Sequence, residues 1–240
     1  MDRHISYYEV REALAQEGCP LCRLAQQSVR RFLDHLLYEN VNDPGVRSEV
    51  RQARGFCNLH AWQLYAERDA LGAAILHRDV LQEVLRQLPD QPAIGAPRSF
   101  WQRLQDLFRP AGVGAHVVGL PARLAPHRLC PACRVRRNAE EIYGQTLLAN
   151  LADAEFRRDL LHSDGLCLPH LRLLLEMTDR AGPATRELLA VERQACERLV
   201  EELGEFIRKQ DYRFRAEPIG AEGNSWIRAI ALVSGRPGVW

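Results

Sequence analysis

The stretches Cys19-Pro20-Leu21-Cys22 and Gly55-Phe56-Cys57-Asn58-Leu59-His60 decide the reading of this chain. Both return later, as Cys130-Pro131-Ala132-Cys133 and Gly165-Leu166-Cys167-Leu168-Pro169-His170. The two copies align with a single-residue gap. Between the motifs, Tyr38–Val50 matches Leu148–Leu160, and beyond them Gly72 and Gly182 follow the two histidines at the same distance. An internal duplication accounts for all of this.

In a Cys-x-x-Cys knuckle the two intervening residues let both sulfurs face one ion, and the proline stiffens the turn that opens a helix. A Cys-x-x-His pair on the first turn of a second helix supplies two more donors. Each repeat is therefore expected to close its own tetrahedral Cys3His site, one from Cys19, Cys22, Cys57 and His60, the other from Cys130, Cys133, Cys167 and His170. Thiolates at helix N-termini gain from the unpaired N–H groups and the dipole, and Arg23, Arg54, Arg128 and Arg134 can offset the negative charge of the centres. Two zinc ions per chain are expected. An iron–sulfur cluster is less favoured because clusters usually take four cysteines.

Around the motifs the pattern is helical. Leu21, Leu24, Ala25, Val29, Phe32, Leu33, Leu36 and Leu37 recur at three- and four-residue steps, so a helix leaves the first knuckle. Asn42-Asp43-Pro44-Gly45 interrupts it, and a second helix over Val46 to about Ala53 should return the chain to Gly55, bringing Cys57 back to Cys19. A third helix begins near Cys57. After Gly72 a fourth carries Ile75, Leu76, Val80, Leu81, Val84, Leu85 and Leu88 on one stripe, and the second repeat ends likewise with Leu188, Leu189, Cys196, Leu199, Val200, Leu203, Phe206 and Ile207. Ser6 with Glu9 reads as a capping box for a short N-terminal helix that Gly18 closes.

The expected fold is all-α, two pseudo-repeat helical bundles each organised around a Cys3His site, with a short irregular C-terminal tail. The segments are 1–88 for the first repeat, 89–129 for a linker, 130–208 for the second repeat and 209–240 for the tail. In the linker, Ser99 with Gln102 could start one helix bearing Trp101, Leu104, Leu107 and Phe108. The tail should begin extended, with Ser225 capping a last short helix that ends at Gly235.

A length of 240 residues, 46% apolar and 26% charged residues are ordinary for a folded globular protein. No apolar run approaches a membrane span, and Met1 to Val10 lacks the regions of a signal peptide, so a cytoplasmic location is expected. In that compartment seven cysteines read as ligands, catalytic thiols or core residues and not as a disulfide framework. The net charge of +1 gives no global pull toward nucleic acid or membrane.

These residues resemble an uncharacterised bacterial family of unknown function that carries tandem CPxC and GxCxxH motifs and ends in a DYRFR-like segment. The resemblance spans most of the chain. It implies the same paired-ligand arrangement at the eight ligand positions, together with Asp211, Tyr212 and Arg213 of the terminal segment, and it implies no activity.

Cys196 lies on an apolar stripe and reads as a small core residue. His4, His35, His77, His116, His127 and His162 form no HxxxH or HExxH pattern, and no phosphate loop, dinucleotide fingerprint or nucleophile elbow occurs, so nothing supports a catalytic site. Arg123, Arg128, Arg134, Arg136 and Arg137 cluster beside the second knuckle. Arg134 and Arg137 are its candidate contacts for a partner, but Glu140 and Glu141 follow closely and suit a solvated helix face. Asp211 to Arg215 alternates polar and aromatic residues as a docking strand would, and is read as packing the tail or meeting a partner. The function expected is a non-catalytic zinc-stabilised scaffold that binds another protein in the groove between repeats. The alternatives are a redox or metal-handling protein and a nucleic-acid-binding zinc protein.

Overall fold

A computed structural model of the chain describes residues 3–88, 119–179 and 181–240. Among them every regular element is a helix. In chain order these are α1 (Ile5–Leu14), α2 (Pro20–His35), a π-helical turn (Leu36–Asn40), α3 (Pro44–Gln52), α4 (Asn58–Ala66), α5 (Ala70–Gln87), α6 (Leu120–Leu124), α7 (Pro131–Ala149), α8 (Ala154–His162), α9 (Leu168–Glu176), α10 (Pro183–Lys209), two short 3-10 turns (Tyr212–Phe214 and Ala221–Asn224) and α11 (Ser225–Ser234). The expected linker helix at Trp101–Phe108, and His116, lie outside the described residues.

The elements that follow the two copies of the motifs correspond in order. α2 and α7 leave the two knuckles with proline at their first position. α3 and α8 are capped by Asp43 and Asp153, whose carboxylates accept backbone N–H groups of the first turn. α4 and α9 begin directly after Cys57 and Cys167, which stand in extended conformation at the N-cap, so each histidine falls in the first turn. Gly72 differs from expectation: α5 begins before it, at Ala70, and Asp69 accepts its N–H. A methyl group there would meet Leu37 at 2.7 Å, so this glycine admits a close approach and does not break the helix.

The chain resolves into two compact units that cut across the duplication, one of residues 1–32 with 134–240 and the other of residues 33–133. In the first unit α1 packs on α8, α8 on α10, and α11 on both α9 and α10. Its core joins Tyr7, Val10 and Leu14 of α1 to Leu21 and Leu24 of α2, Leu147 of α7, Phe156 and Leu160 of α8, Leu174 of α9 and Leu188 of α10. In the second unit α5 packs against α3, α4, α6 and the π-turn, with Leu33, Leu36, Val50, Leu64, Leu76 and Val80 buried. The apolar stripe expected on α5 is only partly used, since Leu81, Leu85 and Leu88 stay exposed among the described residues. Asp79 on α5 binds Arg47 at 2.6 Å and Arg51 at 3.0 Å on α3, and the two guanidinium groups hold its carboxyl below the usual range.

Three local expectations are corrected. The N-cap of α1 is His4, whose Nδ1 accepts the Ser6 N–H; Glu9 instead accepts from Tyr143 and Arg31, so no capping box forms. The Asp211–Arg215 segment is a 3-10 turn rather than a strand. Asp211 caps it and pairs with Arg213 at 2.6 Å, Phe214 lies under the Arg208 guanidinium, and Tyr212 is 85% exposed. A strand needs an edge to join, and helical surfaces offer none. The last helix ends as expected at Gly235, where φ is +83°, but its N-cap is Asn224, and Ser225, expected to cap it, is its first helical residue.

Candidate metal centres

The eight cysteine and histidine ligands named by the sequence gather into two sets of four, but not repeat by repeat. Cys19 and Cys22 meet Cys167 and His170, while Cys130 and Cys133 meet Cys57 and His60, the four donor atoms of each set lying within 4.8 Å of one another. Each knuckle closes with the Cys-His pair of the other repeat. The expected hairpin fails on length: α2 has 16 residues and rises about 24 Å, α7 has 19 and rises about 28 Å, but α3 and α8 have nine each and recover only about 14 Å. A return arm half as long as the outgoing arm cannot bring the Cys-His pair back to its own knuckle. Each set does fall within a single compact unit.

Hydrogen bonds around the motifs hold the exchanged pairs. The Gly18 N–H donates to the Asp164 carboxylate at 2.7 Å, tying the residue before one knuckle to the residue before Gly165. At the other centre, the His127 N–H donates to the Gln52 carbonyl at 2.9 Å, and the Arg54 guanidinium reaches the Arg123 carbonyl at 2.5 Å. Gly55 and Gly165 both take left-handed φ, +89° and +82°, as the chain turns into the Cys-x-x-His helix. At Gly165 a side chain would also strike Ala195, at 2.9 Å.

In the first centre His170 Nδ1 lies 3.1 Å from Cys167 Sγ, 3.4 Å from Cys22 and 3.5 Å from Cys19, and the Cys22 and Cys167 sulfurs are 3.5 Å apart. All four residues are buried. His170 Nε2–H donates at 3.3 Å to Glu140 Oε1, and Arg136 donates to the same oxygen at 2.7 Å. This fixes the ring with Nδ1 turned to the sulfurs. The Trp240 ring centroid lies 5.2 Å from that of His170, the Arg136 guanidinium lies over the Trp240 ring at 4.5 Å, and the Arg236 N–H approaches Cys22 Sγ at 3.5 Å. Burial opposes a charge on His170, but hydrogen bonds to Cys167, Cys22 and Glu140 outweigh it and push the imidazole up to about 11. Hydrogen bonds from Cys167 and Cys19 hold Cys22 far below the ordinary thiol range, and burial pushes Cys19 well above it. A divalent cation bound there would displace protons from these groups, so its binding would depend on pH.

In the second centre His60 Nδ1 lies 3.1 Å from Cys57, 3.3 Å from Cys133 and 3.7 Å from Cys130, and Cys57 and Cys133 are 3.6 Å apart. His60 and Cys130 are buried, whereas Cys57 and Cys133 are part-exposed. Burial, with repulsion from Cys130 behind it, pushes the Cys133 thiol up to about 12.

Other candidate residues stay apart from both sets. Cys196 is half-buried on α10, 4.0 Å from Glu192. Arg134 and Arg137 are exposed on α7, and Arg136 pairs with Glu140 as its spacing suggests. The sequence reading missed Glu140 as a partner of His170, and missed Arg236 and Trp240 altogether. The one available signal was the left-handed glycine after α11, which turns the last residues back toward the core, where Val239 is buried.

A model of a family of unknown function, DUF6062, matches residues 1–238. A relative from Caldicellulosiruptor sp. (strain Rt8B.4), described as an uncharacterized 23.9 kDa protein in xynA 3'region, is 26% identical over 228 residues, covering 93% of this chain and 98% of the relative. No solved structure matches the chain.

Proposed function

The chain belongs to the family of unknown function DUF6062, so its role must come from its own chemistry, and we propose that it is a non-catalytic helical scaffold stabilised by two zinc ions that serves by binding another protein. The observation that carries this is the geometry of the two ligand sets. Zinc bonds of about 2.3 Å to sulfur and 2.0–2.1 Å to nitrogen place tetrahedral neighbours about 3.8 Å apart for two sulfurs and about 3.5 Å for sulfur and nitrogen. The close contacts run from 3.1 to 3.5 Å in the first set and from 3.1 to 3.7 Å in the second, with all donor atoms of a set within 4.8 Å. An iron–sulfur cluster puts several atoms between its ligands, and four donor atoms within 4.8 Å leave room for one ion.

The donor sets also favour a closed site. Three thiolates and an imidazole fill a tetrahedron and leave no position for substrate, unlike a three-ligand catalytic zinc. A zinc ion at each set would be held by Cys19, Cys22, Cys167 and His170, and by Cys57, His60, Cys130 and Cys133. When bound it supplies cross-linking: each joins two segments at least 70 residues apart in sequence. No helix among the described residues is long and apolar enough to cross a membrane. We place the chain in the cytoplasm, where zinc–thiolate sites are favoured over disulfides.

Elemental analysis of the purified full chain, with its ultraviolet and visible spectrum, tests the zinc reading. Two zinc ions per chain and no visible absorption are expected; iron with acid-labile sulfide, or no metal, would refute it. For the scaffold reading, reciprocal affinity capture from the native host should recover one protein in stoichiometric amount with each partner as bait.

A further inference from the structure

We infer that the two centres divide their labour: the Cys57–His60–Cys130–Cys133 centre exchanges its ion with outside acceptors, while the Cys19–Cys22–Cys167–His170 centre keeps its ion. This rests on the zinc reading above and adds a metal-handling activity to it. An ion leaves a thiolate site when an incoming ligand reaches it and displaces the sulfurs one at a time, so accessibility of the sulfurs sets the rate. Cys57 and Cys133 are part-exposed and their sulfurs are 3.6 Å apart on one edge of the set, so an acceptor can attack a shared edge. At the other centre no sulfur is reachable in this way. Cys19 is 5% exposed and Cys22 and Cys167 not at all, and all three belong to the apolar core of their unit.

Further features hold the first centre in place. Glu140, itself held by Arg136, fixes His170, so the imidazole cannot swing out of the set. The Trp240 ring covers His170, and the Arg236 N–H stabilises the Cys22 thiolate in place. The exchange needs no oxidant. Each bond that forms between the ion and a thiolate of the acceptor replaces one that breaks to Cys57 or Cys133, and the proton given up by the acceptor thiol passes to the sulfur released.

Metal release from the full chain to excess 4-(2-pyridylazo)resorcinol, followed by absorbance, tests the inference. Two equivalents should appear in two phases of equal amplitude, with rates differing by at least about tenfold, the scale on which outer partners alter metal binding. Cys133→Ser should abolish the fast phase and keep the slow one. Trp240→Ala and Glu140→Gln, which leave the core intact, should accelerate the slow phase and leave the fast one unchanged. If both equivalents leave at one rate, or if Trp240→Ala accelerates the fast phase, the division is wrong even though the zinc count stands. If the starting protein holds no zinc, the zinc reading itself fails.

Discussion

The centre at Cys19, Cys22, Cys167 and His170 lies within the apolar core of its unit, whereas the centre at Cys57, His60, Cys130 and Cys133 keeps two of its four ligands part-exposed. Both are built from the same duplicated motifs with the same caps and the same helix order. What separates them is everything the duplication did not copy. The position in repeat one that matches Glu140 is Val29, and the one that matches Arg136 is Ala25. The carboxylate and guanidinium that brace His170 therefore belong to one copy only, as do Arg236 and Trp240, which follow the second repeat. The two candidate ligand sets are alike in residue type, and the residues around them differ.

The largest effects should come from removing a ligand. Cys167→Ser takes a sulfur from a buried set and leaves a hydroxyl in the core, so apparent unfolding free energy should fall by more than about 5 kcal/mol, close to the whole net stability of many domains. Cys57→Ser removes the equivalent sulfur from the part-exposed set and should cost less. Both variants should retain one zinc. Thermal melts with metal analysis check this, and equal losses for the two variants would break the comparison.

A second contrast concerns buried carboxylates. Asp79 in one unit is neutralised by two arginines, whereas Glu192 in the other accepts the Leu166 N–H at 2.9 Å beside the Cys167 loop, and its burial pushes it up to about 7. Glu192 thus has a folded pKa above its unfolded value. The folded state is favoured by its protonated form below the usual pKa of 4.5, and that advantage is lost as pH rises from there to about 7. Asp79 has the opposite sign, since its stabilisation is present at neutral pH and lost as pH falls below the usual carboxylate range. Glu192→Gln keeps an acceptor for Leu166 and removes the charge, so it should stabilise zinc-loaded protein at pH 8 by up to about 3 kcal/mol, with the gain shrinking toward pH 5. Urea denaturation across that range measures it, and a gain independent of pH would show that Glu192 ionises without cost.

Glu140→Gln sharpens the comparison at a smaller scale. Weakening a partner of a ligating histidine typically lowers metal affinity 10- to 100-fold, equivalent to about 1.4–2.7 kcal/mol, and competition titrations should find the loss at one of the two sites only. Val29→Ala, at the matching position of repeat one, should leave both affinities as they were.

How much of this was legible follows from what spacing can encode. The eight ligands are local words of four residues, and a helix must open at each, so the sequence shows them directly. Their pairing is not local. Both groupings use the same motifs at the same intervals, and only the unequal lengths of α2 and α3, or of α7 and α8, distinguish them. Ser6 with Glu9 had the form of a capping box, yet the tertiary partners Tyr143 and Arg31 drew Glu9 away, and His4 took the cap. Asp211–Arg215 alternated like a strand, but in a chain of helices the short-range pair of Asp211 with Arg213 curled it into a 3-10 turn. Glu140 and His170 stand 30 residues apart, and Trp240 returns after a glycine turn, so no periodicity pointed to either.

The smallest effect is expected at the arginines from Arg123 to Arg137, and it bears on what the part-exposed centre meets. If that exposure served nucleic acid, these side chains would contact phosphates, and affinity would fall steeply with salt as counterions are released. Arg123 donates to Gln87 at 3.0 Å, and Arg136 holds Glu140 and Trp240, so both are engaged within the protein. The net charge of +1 supplies no broad attractive field. The aromatic ring that Arg136 touches lies against His170, so it serves the buried centre and not a stack of bases. Arg134→Ala with Arg137→Ala should therefore change neither zinc content nor stability by more than about 0.5 kcal/mol, the usual range for surface substitutions. Mixed-sequence DNA and RNA titrated across a salt series should show no submicromolar binding. Tight, salt-sensitive binding abolished by the double substitution would instead tie the accessible centre to nucleic acid and displace the protein-scaffold reading.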